Sequence, residues 1–287
     1  MNMLKTSVLL ALLTGLLIAI GSVFGGKTGM LFMFVVSIIM NFVSYWFSDK
    51  IVLRMYDAKE ATIEQSSDLI QMVASLAQKA RMPMPRVYIV ESDTPNAFAT
   101  GRSPEKGVIA VTTGIMGVLK NDELAGVIAH ELAHIKNRDT LISTVVATIA
   151  GVITMIASIA QWSAIFSSGR NEENDNSGGI VELIFMIVLA PLAATLIQMG
   201  ISRSREYQAD ATGGLMAGNP LALANALKKI EYYAQNRELP SATPATAHMF
   251  IINPFSSMGN WMAKLFSTHP ATELRVAKLE NLARQMR

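Results

Sequence analysis

The chain has 287 residues, of which 51% are hydrophobic and 16% charged, with a net charge of +2 and no cysteine. So apolar a composition is unusual for a soluble domain, and the excess sits in blocks. The absence of cysteine excludes disulfides and thiolate metal ligands, and with no basic tract or stacking motif nothing points to nucleic acid as a partner.

Residues 7–26 and 28–47 are each long enough to cross a bilayer and carry no charge, with Lys27 standing between them. The first run also has the form of a signal peptide, with Lys5 before it. Its length, its lack of a small-x-small cleavage pattern and its passage into a second run favour a retained anchor. Residues 140–166 form a third apolar run and 183–200 a shorter fourth, which Pro191 is placed to kink. The expectation is therefore a mainly α integral membrane protein with about four transmembrane helices. The chain divides accordingly into two N-terminal spans (1–48), a first extramembrane part (49–139), a transmembrane hairpin (140–200) and a second extramembrane part (201–287). Lys50, Arg54, Lys59, Lys136 and Arg138 flank the runs on one side, whereas 167–179 carries Arg170 as its one positive residue. By the positive-inside rule the richer side is cytoplasmic.

Beyond the second run, 86–91 and 107–112 read as short strands bounded by Pro85, Pro95 and Gly101. With 102–106 as a polar turn, 97–100 and 108–112 are expected to form a hairpin. Its edge can take an unfolded peptide by strand addition, which places Asn96, Ala97 and Phe98 beside the substrate. Asn96 following a proline in a turn is the plainer alternative.

Asn121, Asp122 and Glu123 mark a helix start, and Leu124, Val127, Ile128, Leu132 and Ile135 recur at helical spacing. Within that helix lies His130-Glu131-Leu132-Ala133-His134. Two histidines four residues apart stack on one helix face and can share a metal, while Glu131 projects beside them, placed to take a proton from an attacking water. With a metal to polarise a carbonyl, that is the chemistry of peptide-bond hydrolysis.

Zinc usually takes three protein ligands in a catalytic site, so a third His or carboxylate must come from elsewhere in the chain. The run 202–210, Ser-Arg-Ser-Arg-Glu-Tyr-Gln-Ala-Asp, offers Glu206, with His248, His269 and other carboxylates as alternatives. Asp210 falls one turn after Glu206, where it can accept the second ring N–H of a liganding histidine. Arg203 and Arg205 pairing with these acids is the competing picture. Residues 219–237 read as a packed helix. Residues 238–267 form a long irregular stretch suited to a lid or a membrane-surface contact. His269-Pro270 opens the amphipathic run 272–286.

This set of motifs resembles the HtpX-type membrane-bound heat-shock metalloproteases, relatives of the CAAX prenyl endopeptidases. It comprises His-Glu-Leu-Ala-His, Ser-Arg-x-x-Glu-Tyr-x-Ala-Asp and a late Thr-His-Pro. The resemblance implies a zincin-like α+β domain and one zinc ion bound by His130, His134 and Glu206. It also implies Glu131 as general base, Asp210 supporting a ligand, and His269 reaching the active site to stabilise an oxyanion. In the same way it implies a multi-pass protein of the bacterial inner membrane, its active site facing the cytoplasm. The substrates implied are unfolded or damaged membrane proteins, met in stress-linked quality control. Tyr207 and His248 receive no role, and oligomeric state is open.

A metal-stabilised scaffold or transporter is the alternative from another class, but it leaves Glu131 unexplained, since a structural zinc site is normally closed by four protein ligands. An intramembrane protease is disfavoured by the charges around the motif. A bis-histidine haem is excluded because residues four apart cannot reach opposite haem faces.

Overall fold

The computed structural model describes residues 2–143, 145–146, 203–236, 249–252 and 269–286. The chain opens with α1 (Asn2–Trp46), which is broken at Gly26, where φ is 53° and ψ −138°. Its two arms fold back on each other. A Cβ on Gly21 or Gly29 would collide with the other's backbone, so only glycine permits this approach. The Asn41 side-chain amide donates to Thr14 Oγ1 at 2.9 Å across the same contact.

The expectation of four spans, and with it the multi-pass membrane placement, is corrected here. Among the described residues one helical segment, Gly25–Trp46, is long and apolar enough to cross a membrane; Thr6–Ser22 is a shorter apolar helix. The reason is that run length does not reveal what a run packs against. Leu9, Leu13 and Leu17 recur along one side of the first arm and are buried. At the start of the third run Leu141, Ile142, Val145 and Val146 are buried within the protein as well. The rest of that run, the fourth run and residues 167–179 lie outside the described residues.

After α2 (Ser48–Met55) come β1 (Lys59–Glu60), α3 (Ile63–Lys79), β2 (Arg86–Val90), β3 (Ala97–Thr100) and β4 (Val108–Thr112). They form a sheet of order β1-β2-β4-β3 in which β2 and β4 run parallel and the other two pairs antiparallel. In the β3–β4 pair Ala97 faces Val111 and Thr100 faces Val108.

Strand β4 is buried on both faces, which is why it reads as an unbroken apolar run. Its side chains alternate between two cores. Ile109 and Val111 join the larger core with Val87, Val127, Ile128, Leu132 and Leu223. Val108 and Ala110 pack with Phe98, Val52 and Leu53.

A short 3-10 turn at Pro104–Lys106 joins β3 to β4, and the helices α4 (Thr113–Val118), α5 (Asn121–Lys136), α6 (Arg203–Ala217), α7 (Pro220–Asn236) and α8 (Thr272–Gln285) complete the described elements. The start of α5 is secured by Glu123, whose carboxylate accepts from the Lys120 N–H at 2.8 Å and from Lys229 Nζ at 2.7 Å. Two glycines let helices approach α5 closely. A Cβ on Gly126 would lie 3.0 Å from the Leu223 nitrogen of α7, and one on Gly213 of α6 would lie 2.7 Å from the His130 nitrogen.

Candidate active site

The close contact at Gly213 brings α6 against the histidine face of α5. His130 and His134, one turn apart, place their Nε2 atoms 3.1 Å from each other. Glu206, on the first turn of α6, puts Oε1 at 3.6 Å from His134 Nε2 and Oε2 at 3.8 Å from His130 Nε2. One ligand atom from each of the three lies within 4.8 Å of the others. A tetrahedral ion at about 2.0–2.1 Å from each nitrogen sets its ligand atoms about 3.3 Å apart, so the cluster has the size such an ion requires.

The opposite ring nitrogens support the same assignment. His134 Nδ1 is 3.3 Å from Asp139 Oδ2, and His130 Nδ1 is 3.0 Å from Asp210 Oδ1, a short contact poorly aligned for a hydrogen bond. Carboxylates facing both Nδ1 atoms favour the proton there and turn both Nε2 lone pairs inward. The two Nε2 atoms, 3.1 Å apart with the Glu206 carboxylate beside them, converge on one point as the ligands of a shared ion do. The donor set therefore fits a divalent cation.

The site is densely charged and buried. Burial resists ionisation of Glu206, but His269, His134 and His130 outweigh it and hold the carboxyl well below the usual range. Burial pushes Glu131 up to about 7 against the pull of His134 and of a backbone hydrogen bond from Ala99. Burial draws His134 down, but Asp139, Glu206 and Glu131 together hold it up at about 9. So much negative charge around two imidazoles is the electrostatic setting of a cation site.

His269 is buried, with Nδ1 2.9 Å from Glu206 Oε2. It lines the same small cavity, about 50 Å³, as Phe98, Ala99, Glu131 and the two metal-facing histidines. Met249, Phe250 and Ile251 form the cavity's other wall. Asn96 is buried and engages this wall: its side-chain amide donates to the Met249 carbonyl at 3.3 Å, and its oxygen accepts from the Ile251 N–H at 3.2 Å. Ala97 belongs to the larger core and Phe98 packs on Tyr56, with ring centroids 4.8 Å apart. Tyr207 lies under Lys278, whose ammonium is 4.5 Å from the ring centroid. His248 lies outside the described residues.

Two residues escaped sequence reasoning. Asp139 follows the end of α5, just past a turn in which Arg138 is left-handed, φ 59°. Arg205 reaches Asp139 at 3.4 Å. Arg275 of α8 is completely buried. It donates Nε and Nη2 to the two oxygens of Asp210 at 2.8 and 2.7 Å, and Nη1 to the Ile251 carbonyl at 2.7 Å. Asp139 had a signal, being the nearest carboxylate downstream of the motif; Arg275 had none, since it sits in an ordinary amphipathic run.

A buried and a half-buried histidine on one helix, a glutamate from a second helix and an adjacent carboxyl define a zinc-dependent metalloendopeptidase. Residues 64–283 match peptidase family M48, and the chain belongs to that family. It is 52% identical over 282 residues to the protease HtpX homolog of Pyrococcus furiosus, covering 98% of this chain and 96% of that one. It is 53% identical over 285 residues to the protease HtpX homolog of Thermodesulfovibrio yellowstonii, covering 99% and 100%. Among solved structures it is similar to S. mikatae Ste24p, at a TM-score of 0.49 and 19% identity, covering 96% of this chain and 62% of that chain.

Proposed function

We propose that one zinc ion is held by His130, His134 and Glu206, and that the enzyme hydrolyses peptide bonds in misfolded or damaged membrane proteins as a quality-control protease. The facing Nε2 atoms of His130 and His134, 3.1 Å apart with Glu206 beside them, are the observation that carries the reading. Substrate class rests on the relatives' designation as HtpX-type proteases and on the exposed apolar arm Gly25–Trp46.

Zinc bound there supplies a Lewis acid that polarises the scissile carbonyl and acidifies water. Glu131 takes the proton of the attacking water and passes it to the leaving amine. Burial, which resists its ionisation, suits a group that must both accept and release a proton. Asp210 and Asp139 hold the two imidazoles in the orientation that leaves Nε2 for the metal. His269, anchored on Glu206, is the proposed donor to the developing oxyanion.

Strand β3 is one edge of the described sheet and its Ala99 N–H reaches Glu131, which supports addition of a substrate strand beside the reacting centre. The cavity of about 50 Å³ is too small for a peptide, so substrate entry displaces the wall at Met249–Ile251. Asn96 then exchanges its two backbone partners there for those of the substrate, with Ala97 and Phe98 beside it.

The test is cleavage of an unfolded protein by the detergent-purified, zinc-loaded chain and by Glu131→Gln. With equal bound zinc, the variant is expected to lose roughly 10²–10⁴-fold in kcat, the usual contribution of a general base. Equal activity in both proteins refutes Glu131 as the base.

A further inference from the structure

Away from the catalytic cluster, a cavity of about 590 Å³ opens where the apolar arm of α1 meets the sheet. Its volume is within the roughly 300–1,000 Å³ range of small-molecule sites. One wall is the end of that arm, Phe42, Trp46 and Phe47, all exposed. These residues terminate the one described segment long and apolar enough for a bilayer, at the position where interfacial aromatics are enriched. Lys50 follows in α2, and Arg86, Arg102 and Lys106 complete the opposite wall.

The charge in this cavity is unbalanced. Asp49 is already engaged by Arg86 at 2.6 Å, leaving Lys50, Arg102 and Lys106 against Glu105. Arg102 is the informative residue. Its guanidinium lies 4.1 Å from the centroid of the Trp46 ring, and its Nη1 is buried with no hydrogen-bond partner among the described residues. A buried guanidinium N–H without an acceptor is costly, and such orphans commonly mark an ion or ligand site. The planar fork of arginine matches phosphate oxygens, and lysines on the rim add attraction without further geometric demand.

We propose that this cavity binds the phosphate of an anionic glycerophospholipid, with the acyl chains lying along the exposed face of Gly25–Trp46. The lipid source is favoured over a soluble anion because Met30, Leu31, Phe34, Val35 and Ile38 continue the cavity's apolar wall as exposed side chains. Basic pockets beside membrane helices recognise anionic headgroups by this combination of charge and apolar contact.

The test uses the full chain in non-ionic detergent, titrated in parallel with phosphatidylglycerol, phosphatidylcholine of the same acyl chains, and inorganic phosphate. Readouts are the melting temperature and Trp46 emission, the latter in a Trp162→Phe, Trp261→Phe background that leaves Trp46 alone. Phosphatidylglycerol is expected to raise the melting temperature saturably and to change Trp46 emission, with neither effect from the other two. Arg102→Gln and, separately, the exposed Lys106→Gln should each weaken apparent phosphatidylglycerol affinity about tenfold, the scale of one lost charge-assisted hydrogen bond. Lys106→Gln should do so without altering the lipid-free melting temperature. Equal responses to phosphatidylcholine, or unchanged affinity in both variants, overturn the proposal. A full response to inorganic phosphate alone overturns the lipid assignment and leaves a soluble-anion site.

Discussion

Arg275 and Asp210 are both buried, and their two parallel hydrogen bonds place a fixed carboxylate beneath His130. Burial raises the Asp210 pKa, but the guanidinium outweighs it and the carboxyl is held far below its ordinary value. Removing one partner strands the other charge without water. Arg275→Met is therefore expected to destabilise the chain by about 3–5 kcal/mol, measured by denaturant unfolding, and Asp210→Asn by a similar amount. The double variant should recover part of the loss, because it leaves no lone buried charge. His269 poses a different question at this scale, since it contacts the glutamate among the proposed zinc ligands. If it serves the oxyanion, His269→Ala lowers kcat by about 10²–10³ with zinc content unchanged. Loss of zinc with kcat per bound metal preserved would make it a positioning group for Glu206 instead.

At the scale of elements, the site depends on how closely α6 can lie against α5. Gly213 has no side chain to hold it away from the His130 backbone. Gly213→Ala inserts a methyl group at a distance the backbone cannot tolerate, so the helices must separate. The expected cost is about 1–3 kcal/mol of stability. Because Glu206 lies on the displaced helix, zinc affinity should fall in the same variant, measured by competition with a chelating dye. A glycine inside a helix ordinarily costs stability, about 1 kcal/mol relative to alanine in an exposed position, so a gain on Gly213→Ala would refute this view of the interface. Much of this level is legible in the chain. The helical period places the two histidines on one face, the β4 run reads as a doubly covered strand, and the turn at 102–106 joins strands that pair. The helix begins at Asn121, as the run Asn121, Asp122 and Glu123 marks, and the Glu123 carboxylate closes its start by accepting from the Lys120 N–H.

At the scale of the whole molecule, the N-terminal arms and the catalytic centre are separate packing problems. Gly21 and Gly29 let the arms meet backbone to backbone. Gly29→Leu should force them apart and lower thermal stability, by about 1–3 kcal/mol as overpacking generally does, while zinc affinity stays within error. A matching fall in zinc affinity would show that the arms and the site are coupled.

Local periodicity determined the chemistry of this protein: His130, Glu131 and His134 are set by 3.6 residues per turn, whatever surrounds them. Composition likewise showed where apolar residues concentrate. Tertiary structure decided what those runs face, because Leu9, Leu13 and Leu17 are as apolar against another helix as against lipid. It also decided which carboxylates stand behind the histidines. Asp139 meets His134 across a turn that holds one left-handed residue, and Arg275, 65 residues beyond Asp210, reaches it only when α8 packs against α6. Pairings across such separations carry no periodic signal; they follow from burial, which leaves each charge no partner but the one packed beside it.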